Sequence, residues 1–225
     1  AKKYIEENIS KNVTLVLKGQ EINSQTHSGC VADFIMMGLD SNHILPESTL
    51  TDDLYTEDKF HFQLANPPFG VSWNSEKDFI LNEKKNPKGR FSVGTPRISD
   101  GSLLFLQHMI SKMDAKGSRI GVVFNGSPLF TGDSGSGESE IRKWIIENDW
   151  LECIVQLPDQ MFFNTGITTY FWIVTNKKSL AKKLYLIRNH GLKDRDNVEV
   201  FGFNSRLDTI QAAVANYKMK YKLDN

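Results

Sequence analysis

A chain of 225 residues, 40% of them apolar, can bury one sizeable core, and its 27 basic and 27 acidic residues leave no formal net charge. Proteins that grip nucleic acid unaided carry a basic excess, because phosphate neutralisation supplies most non-specific affinity, so the balance counts against autonomous tight DNA binding. It leaves room for a local basic face or a partner that supplies the grip.

No apolar run approaches the ~20 residues of a membrane span, and no charged-then-apolar signal peptide opens the chain. Cys30 and Cys153 lie far apart and outside any CxxC pattern. His27, His43, His61, His108 and His190 show no HExxH-like pairing. The expectation is a soluble, cytoplasmic protein with reduced thiols, no metal site and no membrane partner.

In chain order, residues 1–11 read as the tail of a helix with Ile5 and Ile9 on one face, and residues 13–17 (VTLVL) as a buried strand. Residues 19–23 turn into a helical stretch through Met37, with Val31, Ile35 and Leu39 at helical spacing. Residues 42–50 form a short extended piece between turn signals, and residues 60–65 (FHFQLA) the next buried strand, ending on Asn66-Pro67-Pro68-Phe69. The polar stretch 72–101 holds Lys84, Lys85, Lys88, Arg90 and Arg97. It is long for an ordinary connection, which predicts a functional or mobile loop whose cations face DNA phosphates or solvent.

A helix is predicted over 103–113, a strand over 119–124 (RIGVVF), a flexible loop over 132–137 (GDSGSG) and a helix over 138–147. Strands come next over 151–157 and 168–175, with one more possible over 184–187 and a terminal helix over 208–217. Strands separated by helices predict an α/β fold with a parallel sheet covered on both faces. Residues 158–167 leave no room for a crossover helix, so the last two core strands should be antiparallel. Lys177, Lys178, Lys182, Lys183 and Arg188 read as a solubilising edge.

The chemistry concentrates at Asn66-Pro67-Pro68-Phe69. In open α/β sheets ligands bind at the carboxyl ends of the strands. Asn66 offers an amide oxygen acceptor, the prolines stiffen the loop and leave carbonyls in need of donors, and Phe69 adds a flat apolar face. That combination suits the exocyclic amino group of an unstacked adenine or cytosine, or a similar amide. Trp73, close behind, is a candidate wall of the same pocket. Trp144, Trp150 and Trp172 read as packing residues.

LANPPFG resembles the catalytic tetrapeptide region of amino-group methyltransferases, and the surrounding chain resembles the modification subunit of type I restriction–modification enzymes. The resemblance also rests on GRFSVGTPRISDGSLLFLQHMISKMDAKGSRIGVVFNGSPLF and on SEIRKWIIENDWLECIVQLPDQMFFNTGITTYFWIVTNKK, and it covers about residues 13–178. It implies a Rossmann-like methyltransferase sheet, mostly parallel with a terminal antiparallel hairpin. Residues 1–178 would form the catalytic core and 179–225 an extension packing on it. The implied activity is methyl transfer from S-adenosylmethionine to N6 of a flipped-out adenine in DNA, alongside a specificity subunit and a restriction subunit.

On this resemblance the Asn66 side chain and the Pro67 carbonyl accept the two N6 hydrogens, Pro68 stiffens the loop, and Phe69 stacks on the base. Glu21 binds the cofactor's ribose hydroxyls and Ile22 lies against its adenine. Ser48 stands before Thr49-Leu50 where the family usually has Asp or Asn, and Asn66 also borders the cofactor's transferring end. A glycine-rich Asp/Asn-Pro-x-x-Gly-x-Gly-like loop, which carries the methionine end, does not occur in these residues. The expectation is therefore that the sheet lacks its first strand here and that the chain alone binds S-adenosylmethionine weakly or not at all. A methyltransferase acting on RNA or a protein amide, or a non-catalytic core that binds a specificity subunit, are the alternatives.

Overall fold

The structure, a computed structural model, describes residues 2–8, 14–162 and 166–177. The chain divides into two compact units, Ala1–Thr56 and Glu57–Asn225. The expected boundary at 178 falls at the edge of the described residues, and the strand and helix expected over 184–187 and 208–217 lie outside them.

The first unit holds helix α1 (Lys2–Asn8), strand β1 (Gly19–Gln20), helix α2 (Ser24–Met36) and strand β2 (Ile44–Leu45). β1 and β2 pair in parallel, Gly19 with Ile44 and Gln20 with Leu45. Of the strand expected over 13–17, the described residues 14–17 form none. Thr14 and Val16 are exposed, Leu15 and Leu17 half-buried, and no ladder partner faces them among the described residues. Periodicity alone does not make a strand; pairing begins only at Gly19, where the Gly19 N–H reaches the His43 carbonyl. α2 starts where Asn23 places its side-chain oxygen 3.0 Å from the N–H groups of Gln25 and Thr26, an N-cap that satisfies two orphan donors.

The second unit is built on strands β3 (Phe62–Ala65), β4 (Arg119–Phe124), β5 (Leu151–Gln156) and β6 (Tyr170–Thr175), in the order β3-β4-β6-β5. β3 and β4 are parallel, and β6 runs antiparallel to both β4 and β5. The short 158–167 connection thus returns β6 between β4 and β5. The α/β class and the antiparallel closing pair agree with the sequence reading. β3, however, is not buried: it lies at the sheet edge among the described residues, with Phe62 and Leu64 exposed.

Helices α4 (Ser102–Ser111) and α6 (Gly137–Glu147) enclose the core with one face of the sheet. Ile120, Val122 and Phe124 alternate along β4 and meet Val174, Trp172 and Tyr170 of β6 in register. Phe124 and Trp172 pack edge to face, 5.3 Å between ring centroids. α6 contributes Ile141 and Ile145, one turn apart, while α4 is apolar on nearly all sides and accordingly buried. Each such side chain withdrawn from water contributes about 1.5–3 kcal/mol. The cysteines are free.

The 72–101 stretch is an ordered strap rather than a polar loop. A 3-10 turn (Asn74–Glu76) runs into α3 (Lys77–Lys84), and Ile80 and Phe91 are fully buried. Arg90 closes the strap, its Nε and Nη2 donating to the two Glu83 carboxylate oxygens at 2.8 and 2.7 Å, with His108 Nδ1 2.9 Å from Nη1. Two apolar anchors and a bidentate pair outweigh the lysines that made the segment look solvated. The glycine-rich 132–137 segment is likewise pinned. Ser136 caps α6, Gly137 sits so close to the Thr95 backbone that a Cβ would not fit, and Arg142 donates to the carbonyls of Pro128, Thr131 and Gly132.

Burial pushes the Glu83 carboxyl up, but the Arg90 hydrogen bonds and the charges of Arg90 and His108 together hold it below the ordinary 4.5. A depressed carboxylate stabilises the fold fully above its ordinary value, and the contribution fades as pH falls through the lowered one. Glu83→Gln is expected to cost about 2 kcal/mol near neutral pH, the scale of a hydrogen bond to a charged group. The difference in thermal midpoint from the parent should shrink as pH drops below 4.5. A difference independent of pH would assign the pair no such role.

Candidate functional site

In the second unit, β3 and β4 run side by side with Ala65 opposite Val122, so both strands deliver their next residues to the same, carboxyl edge of the sheet. At that edge Asn66 is exposed, Pro67 buried, Pro68 exposed and Phe69 half-buried. Gly70, at φ +62°, turns the chain away. The Asn66 amide makes no hydrogen bond within the described residues, so its acceptor and both donors remain available.

The residues just beyond the tetrapeptide hold it still. The Val71 carbonyl accepts from Gly101 N–H at 3.1 Å, and the Trp73 N–H donates to the Ile98 carbonyl at 3.1 Å. The Trp73 indole Nε1 donates to the Arg97 carbonyl at 2.9 Å. Trp73 is only 3% exposed, so it is a structural staple rather than a wall of an open pocket. A buried indole needs a partner for its N–H, and here that partner is the strap's own backbone.

The first unit brings its three expected residues to one edge as well. Glu21 comes directly after β1, its N–H bonded to the Leu45 carbonyl at 3.0 Å, and its Oε1 accepts from Asn23 N–H at 2.7 Å. The other carboxylate oxygen has no partner among the described residues. Ile22 is 67% exposed. Ser48 lies just past β2, and its Oγ accepts from the N–H groups of Leu50 and Thr51, both at 3.3 Å, which leaves its own hydrogen to donate. Because β1 and β2 are parallel, these groups lie at adjacent strand exits.

The cations proposed for phosphate divide. Lys84, Lys85 and Lys88 are exposed, whereas Arg90 is consumed by Glu83. Arg97 keeps an open side. Sequence reasoning passed over the exit of β4, where α5 (Ser127–Phe130) sets Phe130 against Tyr170, 6.4 Å between centroids. The available signal was Asn125-Gly126-Ser127-Pro128 directly after RIGVVF, the same strand-exit position that Asn66 occupies after β3. No helix among the described residues is long and apolar enough to cross a membrane.

The fold resembles that of a type I restriction–modification methyltransferase subunit from Streptococcus thermophilus, with a TM-score of 0.65 at 22% identity, covering 91% of this chain and 42% of that one. The chain is 32% identical over 181 residues to the Type I restriction enzyme HindI methylase subunit of Haemophilus influenzae, covering 79% of this chain and 39% of the relative. It thus spans about two-fifths of either protein. A stretch of 49 residues is 45% identical to a pleiotropic regulatory protein of Geobacillus stearothermophilus, covering 22% of this chain and 13% of that protein. The family profile described as N-6 DNA Methylase matches residues 1–220. With a strand-exit Asn-Pro-Pro-Phe at the carboxyl edge of an α/β sheet and this match over nearly its whole length, the chain belongs to the N-6 DNA methylase family.

Proposed function

We propose that the chain carries the catalytic core of a DNA adenine-N6 methyltransferase of the type I restriction–modification kind, acting with a specificity subunit and a restriction subunit. The observation that carries this reading is the uncommitted Asn66 amide at the carboxyl end of β3, braced by two prolines and followed by Phe69.

The Asn66 Oδ1 and the Pro67 carbonyl accept the two N6 hydrogens of the target adenine. Holding both hydrogens in fixed directions draws the nitrogen lone pair out of conjugation with the ring and aims it. Phe69 stacks on the base, which must leave the duplex at a cost of a few kcal/mol that these contacts offset. With a sulfonium methyl donor in place, the N6–carbon bond would form as the donor's carbon–sulfur bond breaks, and the surplus N6 proton would pass to solvent. Such an in-line displacement relies on positioning more than on a strong base.

S-adenosylmethionine, when bound, supplies the sulfonium methyl group. The residues of the first unit fit its nucleoside half. The free Glu21 oxygen suits a ribose hydroxyl, the exposed Ile22 side chain suits the face of adenine, and the Ser48 hydroxyl can donate to a ring nitrogen.

Asn66→Ala in the assembled enzyme is expected to lower methyl transfer by at least about 100-fold, the scale of removing one preorganised hydrogen-bonding group, with cofactor affinity nearly kept. Tritiated methyl incorporation into adenine-containing DNA measures it, and turnover within a few fold of the parent refutes the assignment. Phe69→Ala should cost about 1–3 kcal/mol of transition-state stabilisation and Phe69→Trp much less, since the ring face survives. Equal damage by both makes Phe69 a packing residue. Glu21→Gln should weaken S-adenosylmethionine binding about tenfold by calorimetry while leaving DNA affinity unchanged, as expected for loss of a charge-assisted hydrogen bond. An unchanged Kd removes Glu21 from the cofactor site.

A further inference from the structure

Four arginines lie among the described residues, and three are spent on the protein itself. Arg90 is bound to Glu83, Arg119 to Glu152 at 3.0 Å, and Arg142 to three carbonyls. Arg97 differs. Its Nη2 donates to Ser127 Oγ at 3.0 Å and lies 3.9 Å from Asp100 Oδ2, while Nε and Nη1 have no partner among the described residues. Its side chain is 49% exposed, so the guanidinium is tethered on one side and open on the other. The backbone beneath it is fixed, because Arg97 N–H donates to Glu138 at 2.9 Å and the Arg97 carbonyl accepts from Trp73.

Ser127, the residue that tethers Arg97, begins α5, and Phe130 ends it. Phe130 is 65% exposed yet held in place, with Tyr170 at its edge and Gly126 beneath its ring, where a Cβ would stand 3.4 Å from the ring carbons. A large aromatic ring held open to water at a strand exit does no packing that a smaller residue would not do. Since β4 runs parallel to β3, this ring and the Arg97 fork stand at the sheet edge that carries Asn66.

We propose that Arg97 and Phe130 form a second nucleotide site, which holds the DNA strand beside the target base, Arg97 on a backbone phosphate and Phe130 stacked on an unpaired neighbouring base. The inference rests on the adenine reading of Asn66 and adds the residues that grip the strand around it. Guanidinium forks match phosphate oxygens in pairs, and Ser127 fixes the fork's direction by accepting from only its inner nitrogen, Nη2. Extrusion of one base breaks the stacking of its neighbours, and an aromatic face accepts any of them. In a chain of 27 basic and 27 acidic residues the overall field contributes little, so a single placed fork has a measurable share of the binding.

Fluorescence anisotropy of a labelled ten-nucleotide dT strand with the 225-residue chain at low salt tests this. Phe130→Ala should weaken binding about 5- to 150-fold, the equivalent of one base–aromatic stack, and Phe130→Trp should restore it. Arg97→Gln should reduce the slope of log affinity against log salt by about 0.7, one phosphate contact to a single strand, and Arg97→Lys should keep the slope. The proposal is overturned by no binding from the parent chain, by unchanged affinity in Phe130→Ala, or by an unchanged salt slope in Arg97→Gln. Failure of the adenine reading is separate: it shows as methyl transfer surviving Asn66→Ala, whereas dT binding contains no adenine and reports on Arg97 and Phe130 alone.

Discussion

The parallel pairing of β3 with β4 is the constraint on which the second unit's candidate chemistry depends. It sends Asn66 and Asn125 out of the sheet at one edge and so puts a free amide, two prolines and an aromatic ring next to the exit of β4. β4 can serve as that reference because its other side is locked to β6 by a six-residue antiparallel ladder with Trp172 and Phe124 packed edge to face beneath it. A core of interdigitated Ile, Val and aromatic side chains deforms little, so it gives the strand exits above it a firm base.

The strap between residues 72 and 101 extends this rigidity to the loop. Trp73 turns the tetrapeptide's outgoing chain into part of the packing, and its indole binds the same residue whose guanidinium faces solvent. Arg90 and Glu83 close the far end of the strap, and Gln107 of α4 donates to the Gly94 carbonyl at 3.1 Å within it. On the proposed reading of Asn66 this bracing matters, because an ångström of misplacement costs a positioned group about 100-fold in rate. The Trp73 indole and the Arg90–Glu83 pair each find partners within the strap, while the Asn66 amide and the outer side of Arg97 stay open to solvent.

The first unit uses a different economy. Two two-residue strands hold Glu21 and Ser48 at adjacent exits, and one oxygen of Glu21 steadies the turn into α2 while the other stays open. Ser48 likewise accepts from the turn through its Oγ, which leaves its own hydrogen to donate. Side chains held by the local turn are oriented in advance, which would lower the ordering cost of binding the proposed ligand.

Much of this was legible in the residues themselves. RIGVVF is a strand over its predicted range, since β-branched alternation is a local property that burial on both sides reinforces. The short connection before TTYFWIVT forced antiparallel closure, and Asn-Pro-Pro-Phe stood out as a candidate by its place directly after FHFQLA, a strand exit the structure keeps. VTLVL misled because a strand requires a partner, and apolar alternation is silent about whether one is there. The strap misled because Lys84, Lys85 and Lys88 hid Ile80 and Phe91, whose burial depends on contacts far along the chain. Trp73 and Arg97 are the sharpest case: the sequence offered one as a pocket wall and the other as a phosphate contact, yet only tertiary contacts decide that the indole faces inward and the guanidinium outward. A side chain's chemistry is written in its identity, whereas its direction is set by which neighbours satisfy its polar atoms, and those neighbours lie tens of residues away.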